Sequence, residues 1–448
     1  MRKPCTEKRI TVRERDLIKY IELQKRRMKM MRKYELIVVG GGFSGTCAAI
    51  SAARQGVDVL LIERYNCLGG AAANGLVMPF MGYWTKMPQT GENKFLCGNL
   101  FLEIISEMEK ISGEAKYLMN FDEEILKLAL NRLAQSAGVN LLFNTTVTGV
   151  SVSDKKITSV KVLGKSKIME LFADTFIDAT GDAELSMFAG CEYKLGREKD
   201  ELCQPMTLCF RLSGVDKEKY KENKSMINPL YSEFREKGLI KNPRENLLIF
   251  ENFNEGVLHF NCTRVVRKNP VDPFEVTEAE LEAREQVFEL HKFLKENIPG
   301  FEKSRVLSTA LQIGIRESRK VVGEYILTEE DLLSLSRFDD GIATSNYAID
   351  IHNPEGTGTV WHEFEDGQWY EIPYRCLVPK GVDNLLVTGR CISSTHEAQS
   401  SYRIMPICAE LGQAAGTAVA VAKKDNTGVR DVDIKKVREI LRNEGFVI

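Results

Sequence analysis

The segment Gly40-Gly41-Gly42-Phe43-Ser44-Gly45 constrains this chain more than any other. A short apolar run, Leu36-Ile37-Val38-Val39, leads straight into it. Small, helix-compatible residues follow from Thr46 to Ala53, then Gly56 and a second strand-like run, Val57 to Ile62, that ends on Glu63. Each position has a physical reason. Gly40 permits a tight turn off the strand. Gly42 carries no Cβ to hold the backbone away from a pyrophosphate, and Gly45 lets the helix press on the sheet. The helix opening at Phe43 and Ser44 presents free N–H groups to a phosphate. Glu63 stands where a carboxylate accepts hydrogen bonds from ribose hydroxyls, with Arg64 beside it. A glycine motif in this strand–turn–helix–strand–acid context reads as a dinucleotide site.

Three further segments select the dinucleotide. After Glu63 comes Cys67-Leu68-Gly69-Gly70-Ala71, small enough for backbone to pass under a flat, extended ligand. A helix is predicted over Asp122–Ala137, followed by strands Val139–Phe143, Val147–Val152 and Ile157–Val162. The last two are joined through Asp154-Lys155-Lys156 as a hairpin. The strand Thr175–Asp178 then leads into Ala179-Thr180-Gly181-Asp182. These strands are expected to form an antiparallel meander that crosses over the first unit and brings Val147 and the Thr180–Asp182 turn to the ligand. Far downstream, Asp383–Thr388 is a strand delivering Gly389 and Arg390. Residues 391–404 are expected as a loop. A helix opens at Met405-Pro406, where proline suits the first turn, and continues from Ile407 to Ala422. Its N-terminus would favour negative charge on a reduced flavin. The expected cofactor is therefore FAD.

The pattern G-G-G-x-x-G, L-G-G, A-T-G-D, then T-G-R, R-x-M-P and G-Q-A-A-G over residues 34 to 422 resembles the FAD-dependent oxidoreductase family related to the fumarate reductase and succinate dehydrogenase flavoproteins. Gly314-Ile315-Arg316-Glu317-Ser318-Arg319 and Tyr347 to Pro354 resemble segments of its uncharacterised branch. The resemblance implies an α/β chain with a glutathione-reductase-type, Rossmann-like FAD domain and an inserted α+β substrate domain. The expected division is a basic extension over 1–33, a discontinuous FAD domain over 34–190 and 372–425, an insert over 191–371 and a C-terminal helix over 426–448. In the insert, Met206–Leu212 and Val257–Cys262 read as strands, and Thr277-Glu278-Ala279-Glu280 as a capping box opening a helix to Asn297.

Flavin chemistry on a carbon substrate needs a proton donor or acceptor and positive charge for a carboxylate or enolate. Arg316 and Arg319, with Glu317 between them, suit either an anion clamp or an ion-pair brace. His352 lies in a proline-ended segment read as irregular. His396 and Arg403 precede the flavin-facing helix, where fumarate reductases carry a histidine and an arginine. The catalytic candidates are therefore His396, Arg403, His352 and Arg316. His259, His291 and His362, the rest of the five histidines, read as structural. Covalent flavin attachment through Cys67 or His396 stays open.

Composition removes other classes. Eleven scattered cysteines without a C-x-x-C argue for a reduced, cytoplasmic chain and against disulfide-reductase chemistry or a zinc module. With few histidines, no metal is expected. No second nucleotide motif is present, so electrons are expected to pass between a small-molecule substrate and an external acceptor or donor. No stretch reads as a membrane span. The net charge of -2 hides a basic start: residues 1–33 hold 13 Lys/Arg and four acids, a net of +9, leaving -11 for the rest. That arm keeps an FAD-binding RNA-modifying protein as an alternative, although no nucleic-acid partner is expected, and a structural FAD is a third reading. The leading expectation is hydride transfer between flavin and a small carboxylate-bearing or hydroxylated molecule.

Overall fold

A computed structural model describes residues 32–113 and 120–448. The basic extension lies outside them, apart from Arg32 and Lys33. The run ahead of the glycines forms β1 (Lys33–Val39), and α1 (Phe43–Arg54) leaves directly from Gly42. β2 (Val59–Ile62) is buried at every residue and pairs in parallel with β1 from Leu36–Val59 to Val39–Ile62. Continuous burial is what a parallel strand covered on both faces requires. α2 (Glu123–Ser136) is capped by Asp122, whose side chain accepts from the Glu124 and Ile125 amides.

The chain then enters β3 (Asn140–Leu142), which pairs in parallel with β2. The run 139–143 is therefore the edge of the parallel sheet and not part of the meander. A helical crossover returns the chain in the same direction as the strand it left. The meander starts with β4 (Thr146–Ser153) and β5 (Lys156–Leu163). Asp154 and Lys155 join them at φ 47° and 60°, the left-handed turn that matches strand twist. β6 (Ile168–Asp178) serves two roles. Ile168–Leu171 pairs antiparallel with β5, and Phe172–Asp178 pairs parallel with β1.

The middle of the chain builds its own four-stranded sheet from β7 (Phe210–Ser213), β8 (Ile249–Glu251), β9 (Leu258–Phe260) and β10 (Arg305–Thr309), ordered β8-β9-β7-β10. Its core joins Leu208, Phe210 and Phe260 to Ala283, Val287 and Leu290 of α3 (Pro273–Asn297). That helix begins ahead of the expected capping box. Asp272 accepts from the Phe274 and Glu275 amides and Pro273 fills the first turn. Thr277, now inside the helix, turns its hydroxyl back to the Pro273 carbonyl at 2.7 Å. Apolar residues from Leu327 to Ile372 pack into the large core around α1, so the insert's own core ends near Ile313. β11 (Ile349–His352) and β12 (Thr359–His362) form a separate hairpin. His352, read as irregular, is thus in a strand.

β13 (Leu385–Val387) joins β6 in parallel. Residues 391–404 are not a plain loop, because they contain α4 (His396–Tyr402). The sequence hides this helix because its buried residues are mostly polar. Ser400, Ser401 and Tyr402 are satisfied internally, at Glu397, Tyr347 and Ser394. α5 (Met405–Asp425) packs on α1 so closely that a Cβ on Gly412 would lie 2.0 Å from the Ser44 carbonyl oxygen. By length and composition alone α5 is apolar enough to cross a membrane, but 89% of its apolar window is buried inside the protein, as in a core helix. α6 (Ile434–Asn443) docks through Val437 and Leu441.

One acid in α5 makes a prediction. Glu410 is buried, its Oε2 accepts from the Thr344 amide at 3.1 Å, and its Oε1 has no partner among the described residues. Burial pushes its carboxyl well above the ordinary 4.5. The unfolded chain then releases this proton first, so stability falls as pH rises from 4.5 toward the raised value. Glu410→Gln should relieve that loss, by on the order of 1.4 kcal/mol for each pH unit in this window. Urea unfolding of both proteins at acid and at slightly alkaline pH measures it, and an equal difference at both would contradict the reading.

Candidate cofactor and substrate site

The C-terminal ends of β1, β2, β6 and β13 open on a cleft of about 1130 Å³, the side on which parallel sheets hold ligands. Gly40 turns the chain there at φ +101°, and a Cβ on it would lie 2.4 Å from the Ala179 carbonyl oxygen. Gly42 differs. A Cβ there would meet only the Gly70 Cα, at 3.9 Å, so any side chain would project into the cleft. Neither α1 nor α5 is capped by a side chain, which leaves the first N–H groups of both free for an acceptor.

Most of the residues expected to bind the cofactor line this cleft. They are Gly40, Gly42, Phe43, Ser44, Glu63, Arg64, Gly69, Gly70, Ala71, Val147, Thr180, Gly181, Gly389, Arg390 and Met405. Three do not. A Cβ on Gly45 would lie 1.8 Å from the Gly40 carbonyl oxygen, so this glycine serves helix packing. Ile407 is fully buried in the core. Asp182 sits behind the wall, accepting from Ser318 Oγ at 2.7 Å and Arg390 Nη2 at 2.6 Å. Burial pushes its carboxyl up, and Arg390 and Arg64 together hold it below the ordinary range. Its work is to tie the Thr180–Asp182 turn to Arg390, whose Nε also donates to the Gly181 carbonyl at 2.9 Å. Glu63 accepts from the Gly41 amide at 2.6 Å and the Tyr65 amide at 2.8 Å. Arg64 leans on Glu184 at 3.3 Å.

A second cleft, of about 1810 Å³, shares Ala71, Gly314, Ile315, Arg390, Arg403 and Met405 with the first. Three of the four catalytic candidates, Arg316, His352 and Arg403, line it. Arg316 donates to the Pro205 carbonyl at 2.7 Å and to Thr207 Oγ1 at 2.5 Å. Burial, with Arg244 and Arg403 nearby, brings its guanidinium down to about 9. His352 is pushed well below its ordinary value by burial and by Arg316, Arg403, Arg244 and Arg264, and so is neutral. Arg264 Nη2 donates to His352 Nδ1 at 3.1 Å. The ring proton therefore sits on Nε2, which faces Asp350 Oδ2 at 3.5 Å. The Tyr347 hydroxyl and Arg403 Nη2 approach the same oxygen at 3.3 and 3.8 Å.

His396 lines neither cleft. Its Nδ1 stands 2.7 Å from Glu317 Oε2, while Lys320 Nζ meets Oε1 at 2.5 Å, all three side chains buried. The Arg-Glu-x-Arg cluster is divided by this. Arg316 faces the cleft, whereas Glu317 and Arg319 are braces, Arg319 donating to the Asp182 carbonyl at 3.1 Å. Of the other histidines, His259 is buried in β9 and His291 bonds Ser304. Sequence reasoning missed Arg244 and Glu245, which lie in an unpatterned loop and line the second cleft, and Tyr65, whose hydroxyl bonds Gln312. Gly314 and Ile315 had a signal as a family-like segment, but nothing local placed them between two clefts. Among the described residues no three His, Cys, Asp or Glu side chains gather as metal ligands would.

An extended dinucleotide fits the first cleft. The open space over Gly42, two uncapped helix ends and the Glu63 carboxylate supply contacts for pyrophosphate, ring and ribose. A model of the family described as FAD dependent oxidoreductase matches residues 35–441. Digeranylgeranylglycerophospholipid reductase 1 of Methanococcoides burtonii is 27% identical over 199 residues, 42% of this chain and 46% of its own. The digeranylgeranylglycerophospholipid reductase of Methanosarcina acetivorans is 28% identical over 213 residues, 45% of this chain and 47% of its own. The chain thus spans just under half the length of these curated relatives. A crystal structure of a geranylgeranyl bacteriochlorophyll reductase-like protein from Thermoplasma acidophilum aligns with 92% of this chain and 84% of its own, at TM-score 0.45 and 14% identity.

Proposed function

The chain belongs to the FAD dependent oxidoreductase family, and from that premise we propose that it oxidises or reduces a small, carboxylate-bearing or hydroxylated molecule held in the second cleft. The observation that carries this is the shared wall. A site for carbon chemistry has to adjoin the flavin, and only six residues separate the two spaces. Bound FAD supplies the hydride acceptor or donor. Gly40, Gly42, Glu63 and the ends of α1 and α5 would hold it. Arg316 and Arg403 would orient an acid or polarise an oxygen beside it. Asp350 lines the cleft with its Oδ2 3.3 Å from the Tyr347 hydroxyl and 3.5 Å from His352 Nε2, and would be the group that exchanges a proton with the substrate there.

Supporting the wider reading, the meander between β3 and β6 agrees with a glutathione-reductase-type plan. Kinship with the fumarate reductase flavoproteins rests on motif order alone. Ten buried free cysteines among the described residues support a reducing compartment. A second reading is reduction of an isoprenoid lipid. It is favoured by the curated relatives, which are reductases of such lipids, and by the apolar side chains in the second cleft.

Anaerobic bleaching of the oxidised holoprotein by hydroxy acids, amino acids and dicarboxylates, and anaerobic reoxidation of the reduced holoprotein by prenylated lipids, separate the two. Return of colour when chemically reduced holoprotein meets a prenylated lipid, with no bleaching of the oxidised form by the small molecules, would replace the small-molecule reading. Arg403→Ala should keep its FAD and slow flavin reduction by the active compound by roughly 100-fold. Unchanged turnover would reduce Arg403 to a brace for Asp350. Salt-sensitive RNA binding that disappears on deleting residues 1–33 would instead favour the RNA-modifying alternative.

A further inference from the structure

The walls of the second cleft are unlike one another. Leu248 and Trp361, 36% and 50% exposed, stand at its rim. Val77, Met78 and Phe250 continue an apolar lining inward. The cations lie deeper, with Arg244 only 3% exposed. Their charge is incompletely met. Arg264, behind the lining, is paired with Glu245 at 3.1 Å, and Arg403 stands 3.8 Å from Asp350. Arg244 and Arg316 have no carboxylate partner among the described residues. Arg244 Nε donates to the Asn246 carbonyl at 3.2 Å, and its Nη1 is buried with no acceptor. Guanidinium charge left without a counter-ion in a buried wall is costly unless an anion in the cleft offsets it.

We propose that the substrate is a monoacid with an apolar body, its carboxylate seated on Arg244 and Arg316 and its body lying along the apolar wall toward Trp361. This rests on the reading of the second cleft as the substrate site. A short diacid is the wrong shape. Its second carboxylate would be carried onto the apolar wall, away from the arginines, and would lose water without gaining a partner. Arg244 is then a specificity-determining residue.

Straight-chain monoacids from acetate to octanoate, titrated into the holoprotein and followed by perturbation of the bound flavin spectrum and by calorimetry, test this. Affinity should rise with chain length, by up to about fourfold per methylene where burial is complete. Succinate and glutarate should bind more weakly than hexanoate. Arg244→Met should weaken hexanoate about 10- to 100-fold and leave hexanol unchanged. Should that variant fail to fold, Leu248→Asp at the exposed rim should flatten the chain-length trend while sparing acetate. A flat trend in the wild-type protein, or a diacid binding as tightly as hexanoate, overturns the proposal and leaves the substrate cleft in place. A wild-type holoprotein to which neither acid nor alcohol binds overturns the reading of the cleft itself.

Discussion

Gly42→Val is expected to give a folded, colourless protein. A Cβ at this position meets nothing nearer than the Gly70 Cα at 3.9 Å, so the empty chain tolerates the substitution. The two added methyls project into the space through which a pyrophosphate must pass close to backbone. Purified variant should therefore show wild-type circular dichroism and take up no FAD on reconstitution. Gly45→Val is the matched control. Its Cβ would fall 1.8 Å from the Gly40 carbonyl oxygen, so it should fail to fold and not merely lose its cofactor. A yellow Gly42→Val protein with full FAD content would remove the first cleft from consideration.

Glu317→Ala should cost about 3–5 kcal/mol of stability, the usual consequence of removing one partner from a buried ion pair. Glu317 is 0% exposed and accepts from the Gln204 amide at 3.0 Å besides meeting Lys320 and His396. Its loss leaves the buried Lys320 ammonium, among the described residues, with the Gly196 carbonyl at 2.9 Å. The triad also has a pH signature. Burial pushes the Glu317 carboxyl up, but His396 and Lys320 hold it below the ordinary 4.5. Its contribution is present above about 4.5 and is lost as pH falls through the lowered value. Denaturant unfolding near neutral pH and again below pH 4 should show a large wild-type-to-variant gap that narrows in acid. A gap of under about 1 kcal/mol at neutral pH, the range of a surface pair, would mean the triad does not brace the fold.

The candidate cofactor cleft was largely legible in the chain because its walls are built from backbone features. Glycines that admit a close ligand, strands that end on them and helix ends that follow leave fixed spacings, and Gly40, Gly42, Glu63, Gly181 and Gly389 could be read one by one. The errors there concern packing. Gly45 and Ile407 have the right neighbours in sequence and the wrong orientation. Asp182 has the right chemistry but spends it on Arg390.

The candidate substrate side was legible only in part. Arg316, Arg403 and His352 could be nominated, since charged residues beside a cofactor motif are few. His396 was nominated on the same ground, and its imidazole is turned to Glu317. Arg244 comes from an unpatterned loop in the insert, and Arg264 lies next to a strand. Nothing in their local sequence says that they converge with a hairpin some hundred residues downstream.

By itself, then, the sequence determined the candidate cofactor cleft, because a phosphate next to backbone demands particular residues at particular spacings. Only the tertiary structure decided which charges face the second cleft and which brace its walls. That choice depends on the rotation of a side chain about its own backbone and on the acid that folding brings within 3 Å of it, as with His396 and Glu317 at 2.7 Å, and neither is written in local order.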